Sequence, residues 1–111
     1  MKNSEIWIVD LNPTVGFEKN KVRPVVIISP DNINLPNKII VPITSWKEKY
    51  SEVPWQVKIL ADTTNKLRED SSADTFQIRS ISVERFRKRI GILDNISMHN
   101  IYQALKIVFD L

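Results

Sequence analysis

The run Val25-Val26-Ile27-Ile28 constrains this chain more than any other four residues. Consecutive β-branched side chains favour an extended backbone. None of the four is polar, so the expectation is a strand covered on both faces. The strand opens on Arg23-Pro24. Upstream, residues 6–11 alternate, with Trp7, Val9 and Leu11 on one face, as in a second strand. Asn12-Pro13 ends that strand and starts a polar loop carrying Gly16, Glu18, Lys19 and Lys21. Gly16 stands where a positive φ is useful. A loop that gathers a carboxylate and several cations on a rigid sheet is a natural place for binding and catalysis.

Further strands are expected at residues 39–44, 55–60, 73–79 and 89–93. Pro42 interrupts the first of these, which suggests a sheet edge or a bulge. Trp55, Val57 and Ile59 share one face of the second. Residues 62–72 are polar without Pro or Gly and fit a short helix or a loop. Ser82 is suited to cap a short helix over 83–87. The final segment has helical spacing, with Met98, Ile101, Tyr102, Leu105, Val108 and Phe109 on one stripe and Ser97 as the expected N-cap. The pattern predicts a mainly β domain of five to seven strands with a C-terminal helix. It is compatible with either an SH3-like or an OB-like barrel.

A chain of 111 residues is expected to form one domain, 1–111. It has no Cys and a single His, which argues against thiolate or imidazole metal sites; no metal and no cofactor are expected. His99 falls off the apolar stripe and is assigned no catalytic role. No apolar run reaches membrane-spanning length, and residues 1–5 lack a signal-peptide core, so the expected compartment is the cytoplasm. The net charge of +3 leans toward an anionic partner. Cations cluster at Lys19, Lys21 and Arg23, at Lys47 and Lys49, and from Arg79 to Arg89. The Arg85 to Arg89 run is expected to be a solvated face.

The ordered set of segments resembles a known family. Residues 5–18, EIWIVDLNPTVGFE, followed by RPVVIIS, are similar to the opening of the MazF/PemK (Kid) toxins of bacterial toxin–antitoxin pairs. VPITS at 41–45 resembles the family's third core strand with its site threonine, and FQIRSI at 76–81 resembles its Q-[IV]-[RK]-[ST]-I segment. The resemblance implies a small SH3-like barrel of the CcdB/MazF type and a twofold homodimer. It implies an endoribonuclease that cuts single-stranded RNA, leaving a 2′,3′-cyclic phosphate and a free 5′-OH. It also implies a cognate antitoxin with an acidic, apolar tail. Two departures stand out: Ser4 replaces the family's frequent Gly, and the first loop is rich in Lys and Asn.

Arg23 matches the family's site arginine. Its guanidinium is suited to hold two phosphate oxygens and stabilise developing charge. A structural ion pair with Asp10 or Glu18 is the competing role. Thr44 matches the site threonine, where its hydroxyl would donate to a non-bridging oxygen. Glu18 is the candidate base, against a solvated loop carboxylate. Lys19, Lys21 and Lys47 are candidate RNA contacts. Gln77 and Arg79 alternate on the expected fifth strand, facing either an RNA groove or solvent. Trp46, among cations, is a candidate base-stacking platform, with core packing as the alternative. The other functional classes are a CcdB-like, non-enzymatic poison of DNA gyrase sharing the fold, and an inactive RNA-binding module.

Overall fold

The computed structural model describes residues 1–111 except Thr14, Lys19 and Asn20. The proposed role of Lys19 therefore lies outside the described residues. Among those described there are seven strands and one α-helix: β1 (Glu5–Asp10), β2 (Val22–Ile27), β3 (Asn37–Ser45), β4 (Gln56–Ile59), β5 (Ser71–Asp74), β6 (Arg79–Ser82), β7 (Phe86–Ile92) and α1 (Asn95–Phe109).

All pairings are antiparallel, in the order β4-β5-β3-β2-β1-β7, with β6 also on β3. The sheet does not close into a barrel. β7 pairs with β1 and β4 with β5, and the outer edges of these two strands do not meet. β3 is the hub. One edge holds β2 through residues 40–42; the other holds β6 through 37–40 and β5 through 43–45. Pro42 thus lies in a central strand, at the gap between two partners on that second edge. A residue without an N–H leaves no donor stranded there.

The expected double coverage of β2 is present. Val25 and Ile27 pack with Val9, Leu11, Ile40, Ile81 and Phe86, and Trp7 lies against this group. Val26 packs on the other side with Ile6, Val41, Ile43 and the helix residues Met98, Ile101, Ala104 and Leu105. Trp7 meets Phe86 edge-on at 5.7 Å. The helix buries a narrower stripe than expected, because Tyr102 and Phe109 stay exposed while Ala104 is buried. It also starts earlier: Asp94, not Ser97, is the N-cap, accepting the Ser97 N–H at 2.6 Å. A carboxylate there also suits the positive end of the helix dipole.

The single strand expected at 73–79 is two strands. After β5, Thr75 is buried; its N–H and its hydroxyl both donate to the Trp55 carbonyl, at 3.1 and 2.7 Å. This bends the chain into a 3₁₀ turn, Thr75–Gln77, before β6. Residues 62–72 form a loop and the start of β5 rather than a helix. Ser82 does cap a short 3₁₀ turn, Val83–Arg85.

At the start of β1, Glu5 is the centre of a polar network. Burial opposes its ionisation, yet hydrogen bonds from the Lys2 N–H and the Trp7 indole N–H, with the N-terminal ammonium and Arg89 at 3.1 Å, hold its carboxyl below the ordinary glutamate range. A depressed folded-state pKa contributes stability that is complete above the unfolded value and is lost as pH falls through the folded one. Chemical-denaturation curves from pH 7 down to pH 3 should show the parent losing its advantage over Glu5→Gln as acidity rises. A gap that is constant over this range would show that the network does not favour the ionised form.

Candidate nucleic-acid site

Arg23 and Thr44 are brought together by strand register. Val9 lies opposite Arg23 and Val25 opposite Pro42; the same antiparallel register, continued by two residues, runs Arg23 toward Thr44, and both residues line one cleft. Alternation turns both toward the face of Val25 and Ile40. Arg79, opposite Ile40 and two residues before the buried Ile81, belongs to the same face.

Arg23 and Thr44 stand at the sheet end where this face meets a cleft of about 760 Å³, whose inner wall, with Ile8, Pro24, Ile43 and Ile90, belongs to the opposite face of the sheet. The loop before β5 forms the far side and brings in Lys66, Arg68 and Glu69; Lys88 comes from β7. Four cations and one carboxylate line this cleft, a charge balance that favours an anionic ligand. Glu69 accepts a hydrogen bond from the Ser45 hydroxyl, which draws it to the end of β3.

The turn that leads into this loop is tightly built. Asn65 is buried; its Oδ1 accepts the N–H groups of Asp62 (3.1 Å) and Leu67 (3.0 Å), and its Nδ2 donates to Leu60 O at 2.9 Å. Asp62 Oδ1 accepts the N–H groups of Thr64 and Asn65, at 2.9 and 2.7 Å. Lys66, Arg68, Glu69 and Lys88 were not singled out from the sequence as ligand contacts. Only this turn aims the first three at the cleft, and no spacing rule announces it.

Glu18, Lys21, Trp46, Lys47, Gln77 and Arg79 do not line the cleft. Glu18 lies in the β1–β2 loop, where its carboxylate accepts the Val15 N–H at 2.6 Å. Gly16 and Lys21 both have positive φ, +63° and +71°, so the conformational role expected for Gly16 is present. Gln77 is on the 3₁₀ turn and Arg79 on β6, so they do not alternate on one strand as expected. Gln77 Nε2 donates to Phe17 O at 3.4 Å, tying the Glu18 loop to this side of the sheet. Trp46 is half-buried rather than an open platform. It meets Tyr50 edge-on at 5.9 Å, and the Lys58 ammonium lies 5.0 Å from its ring centre. A base stacking on the ring face that Lys58 covers would have to displace it. Lys47 is exposed. Nor is the Arg85 to Arg89 run merely solvated: Arg87 pairs with Asp10 at 3.6 Å and Arg89 with Glu5. Among the described residues no three His, Cys, Asp or Glu side chains cluster as a metal site.

A small antiparallel sheet with a C-terminal helix and a cationic cleft at the strand ends defines the class. The same fold occurs in the crystal structure of MazF from Deinococcus radiodurans, with a TM-score of 0.84 and 17% identity over 100% of this chain and 97% of that one. It also occurs in a mycobacterial endoribonuclease in complex with its cognate antitoxin, with a TM-score of 0.76 and 16% identity over 100% and 96% of the two chains.

Sequence similarity is more specific. Residues 2–109 match the family model described as PemK-like, MazF-like toxin of type II toxin-antitoxin system. Endoribonuclease MazF9 of Mycobacterium tuberculosis is 38% identical, covering 100% of this chain and 98% of the relative. Endoribonuclease EndoA of Bacillus subtilis is 34% identical, covering 96% and 92%. The chain belongs to the PemK-like, MazF-like toxin family.

Proposed function

We propose that this chain is the endoribonuclease toxin of a toxin–antitoxin pair and cuts single-stranded RNA without a metal ion. The observation that carries the reading is that Arg23 and Thr44 line the same four-cation cleft, in a member of a family whose similar relatives are named endoribonucleases. In the proposed reaction the 2′-oxygen attacks phosphorus. The new P–O2′ bond forms as P–O5′ breaks, giving a 2′,3′-cyclic phosphate. The 2′-OH proton goes to a base and the departing 5′-oxygen takes up a proton. Arg23 and Thr44 bear on the non-bridging oxygens, where charge grows. Glu18 is the proposed base. A cognate antitoxin, a homodimeric state, a single-domain chain and a cytoplasmic setting complete the proposal. Among the described residues no helix is long and apolar enough to cross a membrane. The gyrase-poison reading is not favoured, since the relatives are endoribonuclease toxins.

The decisive experiment is incubation of the purified protein with a long RNA in EDTA, with the cut ends mapped. Cleavage should persist, leaving 5′-hydroxyl ends. Activity abolished by EDTA and restored by magnesium would overturn the metal-free mechanism.

Binding and chemistry should also separate. Replacing Lys66, Arg68 or Lys88 by Gln should weaken affinity for an uncleavable 2′-deoxy RNA and reduce its salt slope by roughly 0.7 for each phosphate left without its cation. Thr44→Val and Glu18→Gln should slow cleavage at nearly unchanged affinity. Glu18→Gln cleaving at the parent rate across pH would remove Glu18 as the base.

A further inference from the structure

Arg85 closes on the base of the loop that joins β1 to β2. Its Nη1 donates to the Asp10 carbonyl at 3.1 Å and to the Asn12 carbonyl as well. Asp10 is the last residue of β1, and Asn12 is where the loop departs. Both ends of the loop meet here. The Asn12 side chain accepts the Lys21 N–H at 2.9 Å, and the Leu11 N–H donates to Lys21 O at 3.1 Å. The Asp10 carboxylate accepts the Asn12 N–H at 3.0 Å.

The guanidinium arrives from the short 3₁₀ turn at 83–85, capped by Ser82, so a separate rigid element grips the loop. A planar, multi-donor guanidinium can address two carbonyls in a fixed geometry, which a lysine ammonium does less well.

We propose that Arg85 is a positioning residue for RNA cleavage. It fixes the direction in which the loop leaves β1, and thereby the place of Glu18 and Lys21. The catalytic half of this inference rests on the ribonuclease reading above. A displacement of about 1 Å in a positioned group can cost on the order of 10²-fold in rate.

The test compares Arg85→Ala, Arg85→Lys and Arg89→Ala in the full chain. Arg89 is the control. It carries the same charge but pairs with Glu5 at the other end of β1, about 17 Å away at 3.4 Å per residue. Amide hydrogen exchange is read at residues 15–18 and 21, and kcat and KM are measured on single-stranded RNA.

Arg85→Ala should raise exchange in the loop by about tenfold or more, with β3 and α1 unchanged. It should lower kcat/KM on the order of 10²-fold. Arg85→Lys should recover part of both losses, and Arg89→Ala should match the parent. Parent-like loop exchange in Arg85→Ala would overturn the proposal. So would exchange raised equally in β3 and α1, which marks a general folding role, or a cleavage loss matched by Arg89→Ala, which marks simple loss of charge. A parent protein that cuts no RNA would overturn the ribonuclease reading and the catalytic half with it, while exchange would still decide whether Arg85 holds the loop.

Discussion

Arg23→Ala should lower the rate of RNA cleavage on the order of 10²–10³-fold, the typical loss when one transition-state donor is removed. In the proposed reaction charge develops on the phosphorus oxygens as the 2′-oxygen attacks, and Arg23 and Thr44, which line one cleft, are the groups proposed to meet those oxygens. Arg23→Lys should restore only part of the rate, since an ammonium lacks the two-pronged fit of a guanidinium. Both variants should stay folded. Arg23 lies near the start of β2, and the strand's buried anchors are Val25, Val26 and Ile27. Single-turnover cleavage, with a thermal melt as a folding check, measures this. Near-parent cleavage by either folded variant would make Arg23 a structural cation.

Gly91→Ala should destabilise the fold by about 3 kcal/mol or more, at or beyond the upper end of ordinary overpacking costs. The midpoint of a thermal melt should fall by more than about 10 °C. A Cβ at position 91 would stand 2.6 Å from the Asn65 carbonyl carbon and 2.7 Å from the Thr64 carbonyl oxygen. The obstacle is backbone, and the turn cannot simply withdraw. The Ile92 N–H donates to Thr64 O at 3.2 Å, and the Asn65 and Asp62 side chains tie the turn to itself. Retreat would strand buried polar groups, at about 1–3 kcal/mol each. The same turn carries Lys66 and Arg68 to the cleft, so RNA affinity should weaken along with stability. A melt within a degree or two of the parent would show that the turn yields.

The main strands were legible because a strand declares its faces by alternation. Trp7, Val9 and Leu11 do share a face, and the apolar run at 25–28 is covered on both sides. Arg23 and Thr44 were legible for another reason. They lie in short segments that resemble the family, and the fold brings both candidates to one cleft. The helix was visible from its period, but its start was not. Ser97 and Asp94 are both good caps, and only the packed position of the helix selected Asp94.

What the tertiary structure alone decided are pairings between distant residues. Residues 73–79 carry no signal for the break at Thr75, which exists because the Trp55 carbonyl receives both Thr75 donors and β3 takes two partners along one edge. The cleft's Lys66 and Arg68 depend on Asn65 filling a buried slot against Gly91. Arg85, in a charged run that suggests solvent, meets carbonyls more than seventy residues away. Local spacing records which side chains share a face. Which faces meet, and which backbone groups are left for a side chain to satisfy, follows from burying apolar area while pairing every buried donor and acceptor across the whole chain.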